Sequence, residues 1–327
     1  MCRLLLRHTE CAYYFGRFLR KAPEGGGECP QMTYDRTDYS IEIFHGQLTP
    51  NLAHIYARVS ALPGGGPWTL AGRVRGPECA FSKTLPTTTL FADSGRGATL
   101  LAKATLTEPC FWSADLPFLY HVTIELRHHG RPEFKYEQQF GMRFLGRSDR
   151  YFYWANKRWV LRGAHQDSVT DSPLSAWRDE ATAMIVEEPP ENLCLETSRQ
   201  GVILVAKLRR TGDVLVKLRR LAAWPSVAIV LVEAPTDVTA AYQVVVPNLL
   251  LGMADYKSTD NVPEWSQAVL IHSENLATAT QNTSQRPIAL IACRRLAGTR
   301  SLSAARSACD LLQRDVVQLG DFAGYVV

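Results

Sequence analysis

Near residue 149 the spacing of apolar residues changes period, and this constrains the fold more than any other feature of the sequence. Between Tyr39 and about Arg147 the apolar residues fall in short segments: "SIEIFHG", "HIYARVSAL", "WTLAGRVRG", "TTTLFAD", "ATLLAKATL", "LYHVTIEL" and "EFKYEQQFGMRF". In "YHVTIEL", Tyr120, Val122, Ile124 and Leu126 alternate with His121, Thr123 and Glu125. That is the pattern of a strand with one buried face. "LPGGGP" and "HHGRPE" supply turns. About seven such strands predict an antiparallel β-sandwich of immunoglobulin-like type over residues 38–147. Past Asp149 the strands become continuous apolar runs: "WVLRGA", "ATAMIVEE", "GVILVAKL", "SVAIVLVEA", "LLLGMA", "AVLIHS", "PIALIAC" and "GYVV". Helical segments lie between some of them. In "SLSAARSACDLLQRDVV", Leu302, Ala305, Cys309, Leu312 and Val316 recur at helical spacing. Runs buried on both faces and alternating with helices predict a parallel sheet, and eight of them a (β/α)8 TIM-barrel-like domain over residues 150–327. That span is short for the fold, so the barrel is expected to be compact, with short loops, or incomplete. Residues 1–37, which contain the breaker "PEGGGECP", read as an N-terminal extension.

Composition excludes several function classes. A net charge of +4 in 327 residues gives no electrostatic case for nucleic acid. The basic stretch "KLRRTGDVLVKLRRL", with Lys207, Arg209, Arg210, Lys217, Arg219 and Arg220, reads as the solvated face of a helix that follows a strand. The eight cysteines form no CxxC pair, so no metal site is expected, and Cys79 and Cys110 carry no spacing that demands a disulfide. No phosphate-loop or dinucleotide-binding glycine pattern is present, and no cofactor is expected. No run of about 18 apolar residues predicts a transmembrane segment. The apolar run Leu4 to Leu6 is too short for a signal peptide, which favours a cytoplasmic location. The triplet Asn282-Thr283-Ser284 is a formal glycosylation sequon.

Three ordered motifs bridge the two halves: "FWSADLPFLYHVTIEL", "FGMRFL" and "NKRWVLRGAHQDS". Trp112, Ser113, Pro117, Leu119, Tyr120, Phe140, Gly141, Arg143, Lys157, Leu161, Arg162 and Gly163 carry them. In this order the chain resembles glycoside hydrolase family 2, the family of β-galactosidases, β-glucuronidases and β-mannosidases. The resemblance implies an immunoglobulin-like domain followed by a barrel with two glutamates at its mouth. A retaining glycosidase uses one carboxyl to protonate the leaving oxygen and a second, about 5–5.5 Å away, to attack the anomeric carbon.

Those glutamates have no counterpart at the matching positions. Laid on the family's acid/base motif, "WPSVAIVLVEAP" keeps Pro225, Ser226 and Val227 but places Pro235 where the acid belongs. On the nucleophile motif, "RPIALIACRR" keeps Pro287 and places Ala292 at the glutamate. The Asn-Arg-His-Glu run after the first barrel strand reads His165, Gln166, Asp167, Ser168. His165, Asp167, Pro235 and Ala292 are therefore degenerate site positions. Glu233 is the candidate displaced acid, since period-2 alternation keeps it on the same face as position 235. Asp255, Asp260 and Glu274 follow later strands with no motif to select them, and Cys293 would need a neighbouring base to act as a nucleophile. The resemblance then implies a catalytically inactive homologue with a carbohydrate-related or binding role. The alternatives are an active hydrolase of β-linked sugars that uses displaced acids, and a structural module of a larger assembly. Carbohydrate is the expected ligand, with Trp177 and Trp265 as the rings to expose if sugar is bound. The barrel mouth is expected to be narrow and less polar than a working glycosidase site.

Overall fold

The computed structural model describes residues 40–62, 67–93, 99–209, 213–233, 246–255, 262–281 and 287–327. The chain divides into two units. One holds the described parts of Met1–Arg73, Leu90–Glu108 and Ile124–Tyr136, and the other those of Val74–Thr89, Pro109–Thr123 and Glu137–Val327.

The sandwich strands are β1 (Ser40–Thr49), β2 (Leu52–Ser60), β3 (Trp68–Glu78), β4 (Thr87–Leu90), β5 (Ala92–Asp93), β6 (Leu100–Thr107), β7 (Leu119–His128) and β8 (Arg131–Phe140). They form two four-stranded sheets, β1-β2-β6-β5 and β4-β3-β7-β8. The segment "TTTLFAD" accounts for the strand beyond the expected seven, because β4 and β5 split it between the two sheets. Burial alternates as the sequence pattern requires: Ala53, Ile55, Ala57 and Val59 on β2, and Leu100, Ala102, Ala104 and Leu106 on β6. Cys79 and Cys110 are free thiols.

A small antiparallel sheet follows, made of β9 (Leu145–Ser148), β10 (Tyr151–Trp154) and β11 (Lys157–Trp159). The apolar periodicity gave no sign of it. Its turns use Asp149, Ala155 and Asn156 at φ of 53°, 48° and 64°. From β10, Phe152 enters the barrel's interior cluster beside Leu161, with Leu145, Trp154 and Trp159 packed around it. This sheet thereby stoppers the end of the barrel from which its strands set out.

Eight parallel strands then close a barrel: β12 (Leu161–His165), β13 (Ala183–Glu187), β14 (Leu204–Leu208), β15 (Val227–Glu233), β16 (Leu250–Ala254), β17 (Ala268–His272), β18 (Ala289–Cys293) and β19 (Gly324–Val326). Seven lie within the predicted apolar runs, and β12 extends one residue past "WVLRGA", to His165. The described helices are α1 (Leu174–Asp179), α2 (Glu191–Gln200), α3 (Val214–Ala222), α4 (Leu276–Gln281) and α5 (Leu302–Val316). Asp213 starts α3 by accepting from the backbone N–H groups of Leu215 and Val216. On α5 the predicted stripe Leu302, Ala305, Cys309, Leu312 and Val316 is buried. None of the described helices is long and apolar enough to cross a membrane.

Two clusters separate the faces of the barrel strands. Ile185, Val205, Ile229, Leu231, Leu270, Ile291 and Cys293 fill the interior. Met184, Ala206, Val230, Val232, Ile271 and Ala292 pack outward with helix residues such as Leu218 and Leu312.

The motif residues hold this unit together. Gly141 lies against the Pro225 ring, where a Cβ would come within 2.7 Å of the proline. The Trp112 indole donates to the Ser198 carbonyl at 2.8 Å. Ser226 is buried, and its hydroxyl meets those of Thr197 and Ser198 at 3.0 and 2.9 Å. Arg143 is 4% exposed, and its guanidinium donates to the carbonyls of Trp224, Pro225, Val227 and Asn248. Pro225, Ser226 and Val227 seat the start of β15. They lie far below its mouth end, about 3.3 Å per residue along the strand.

Candidate functional site at the barrel mouth

In barrels of this fold, sites form where the strands end. Inward positions alternate along each strand, and adjacent strands are staggered by one residue for a shear of about eight. Following the strand pairs around the barrel with this stagger places His165, Lys207, Ala254 and Cys293 in one layer. Glu187, Glu233 and His272 form the layer above it.

Asp255 ties the two layers together. It follows β16 in a left-handed conformation, φ 52°. One carboxylate oxygen accepts from Lys207 Nζ at 2.9 Å, and the other faces His272 Nε2 at 3.1 Å. Lys207 is 3% exposed, so its charge needs this partner. Burial would raise the Asp255 carboxyl, but the hydrogen bond and charge of Lys207, with His272 beside it, outweigh burial and hold it below its ordinary value. Burial and then the Lys207 charge lower His165, whose ring has no hydrogen-bond partner among the described residues. Burial pushes the Cys293 thiol up to about 12, with the Asp255 charge adding to the effect. On the rim, Glu187 accepts from Arg209, and Glu188 from Lys217 Nζ at 2.7 Å.

The sequence-derived positions separate in space. By strand parity His165 and Glu233 take inward positions, on the same face as Leu161 and as Ile229 and Leu231. Asp167 sits in the short helical turn after β12, beside Ser168. Ala292 is fully buried on the outward face of β18, and Cys293 takes the inward place. Pro235, Asp260, Arg210, Arg286 and the Asn282-Thr283-Ser284 triplet lie outside the described residues. Trp177 and Trp265 are 2% and 3% exposed within the outer cluster, so neither offers a ring to solvent. Among the described residues, polar side chains stand at or next to the ends of five strands: His165, Glu187, Lys207, Glu233 and His272. One expectation needs correction. Lys207 is not part of a solvated helix face, because it lies on β14 two residues after inward-facing Val205. That parity was available in "GVILVAKL". The Asp255 bridge was not, because it depends on a turn. Among the described residues, no group of three or more His, Cys, Asp or Glu is placed to hold a metal ion.

Residues 74–143 match the family described as glycosyl hydrolases family 2. That stretch contains the Trp112 to Tyr120 and Phe140 to Arg143 motifs, and the barrel they buttress follows it. Over that stretch the chain is glycoside hydrolase family 2-like. Its fold matches a putative β-galactosidase from Bacteroides fragilis with a TM-score of 0.56 at 15% identity, covering 88% of this chain and 54% of that one. A β-glucuronidase from Parabacteroides merdae matches with 0.53 at 15% identity, covering 88% and 47%. One from Bifidobacterium dentium, in complex with coumarin-3-O-glucuronide, matches with 0.56 at 15% identity, covering 88% and 60%. The family 2-like chain thus spans about half the length of the first two of these proteins. No curated protein matches it in sequence.

Proposed function

We propose that this family 2-like chain does not cleave β-glycosides by the two-carboxylate route, and that its barrel mouth serves as a binding site for a carbohydrate-related ligand. The observation that carries this reading is the inward end of β18, where a buried, protonated Cys293 stands instead of a carboxylate. The route needs a carboxyl that holds a proton and a second one free to attack. Asp255 suits neither role, since both its oxygens are engaged and its proton affinity is lowered. Glu187 is held by Arg209. A second reading, hydrolysis by displaced acids, has one observation in its favour: Glu233 shares a layer with Glu187.

The test is turnover of activated aryl β-galactosides, β-glucuronides and β-mannosides by rigorously purified protein. We expect no release of the aryl group above buffer. Release that disappears in both Glu233→Gln and Glu187→Gln would establish the displaced-acid reading instead.

A further inference from the structure

The layer below the rim combines a donor and a base that hydrolysis of a glycoside does not call for. Lys207 is buried, yet its ammonium makes a single hydrogen bond, to Asp255. Two of its three N–H donors have no partner among the described residues. The His165 ring stands in the same layer with both nitrogens likewise unpartnered among those residues. Ala254, also in this layer, fills little of the space that a bulky side chain takes in most barrels of this fold. We propose that this layer is an acid–base site that moves the proton beside the carbonyl group of a small α-hydroxycarbonyl compound, such as the open-chain form of a sugar.

In the step, Lys207 N–H groups donate to the carbonyl oxygen, and a His165 ring nitrogen takes a proton from the adjacent carbon. The C–H electron pair becomes the C=C bond, and the carbonyl π pair moves onto oxygen, where the Lys207 charge meets it. The imidazolium then returns a proton to carbon, so nothing is oxidised or reduced. Asp255 holds Lys207 in place, and His272 holds Asp255 from the other side. His165 is kept neutral by burial and by the Lys207 charge, the state a base requires.

The experiment places the full chain in D2O with dihydroxyacetone, D-glyceraldehyde or D-xylose and follows loss of the α-proton signal by NMR. We expect exchange of at least one of them well above buffer, falling about 100-fold in His165→Gln and in Lys207→Met. Each variant's thermal melt establishes that it is folded, and His165→Gln decides the matter if Lys207→Met is not. Exchange at the buffer rate for all three compounds, or wild-type exchange by folded His165→Gln, overturns the proposal. Exchange and glycoside hydrolysis are read separately. Turnover of aryl glycosides would sink the functional reading above without touching this one, and a failure of exchange would leave that reading standing.

Discussion

Arg143→Met is expected to cost the barrel-containing unit about 4 kcal/mol, or to prevent it from folding. The guanidinium reaches the carbonyls of Trp224, Pro225, Val227 and Asn248, at the entries to β15 and β16. The methionine stem would fill much of the same space but donate nothing. Each buried acceptor left unsatisfied costs roughly 1–3 kcal/mol, partly recovered by local shifts. Burial lowers the guanidinium to about 9, which leaves it charged at neutral pH. Arg143→Lys keeps a charge but has three donors on one nitrogen instead of a planar fork, so it should recover only part of the loss. Urea unfolding of the three proteins measures this. A shift under about 1 kcal/mol for Arg143→Met would mean that water or backbone adjustment satisfies these carbonyls.

Asp255→Ala is the second large effect. It strands the Lys207 ammonium in a nearly closed site, and removing one partner of a buried pair costs about 3–5 kcal/mol. Asp255 is itself about a third exposed, with side-chain exposure of 34%, so water can reach part of the site and about 2–3 kcal/mol is the expected loss. Adding Lys207→Met should recover most of it, because the uncompensated charge then disappears. The pair also predicts an acid limb. Asp255 titrates below its ordinary value of 3.8 in the folded chain. Its contribution is therefore present above 3.8 and is lost as the pH falls through the lower, folded value. Stability against pH should decline less steeply below about pH 4 in Asp255→Asn than in the wild type. Equal acid limbs in the two proteins would show that Lys207 draws its compensation from elsewhere.

Most of the architecture was legible because burial leaves a period in the sequence. Strands covered on one face alternate, as in β7, and strands covered on both faces run continuously, as in β15. The sheet β9–β11 was not legible, because "LGRSDRYFYWANKRW" has strands of three and four residues joined by turns that lack glycine. Part of the site was legible too. Alternation gives Glu233 an inward position, and the register of β15 with its neighbours gives it the same parity as Ile229 and Leu231. Motif spacing led to Ala292 on β18, whereas strand parity puts Cys293 in the interior. Lys207 was concealed by its company, since the arginines around it suggested a solvated surface. Its parity with Val205 was the better guide. The bridge from Lys207 through Asp255 to His272 joins strands far apart in sequence, and no local pattern announces it.

On the function proposed above, no carboxylate at this barrel mouth attacks an anomeric carbon. The most direct test is covalent trapping with activated 2-deoxy-2-fluoro β-glycosides, which form the glycosyl–enzyme bond of a retaining glycosidase and release it slowly. Intact mass spectrometry after incubation with the galactoside, glucuronide and mannoside forms reads the result. We expect the unmodified mass in all three cases. A stoichiometric glycosyl adduct that maps to Glu187, Glu233 or any other carboxylate of the barrel would contradict it.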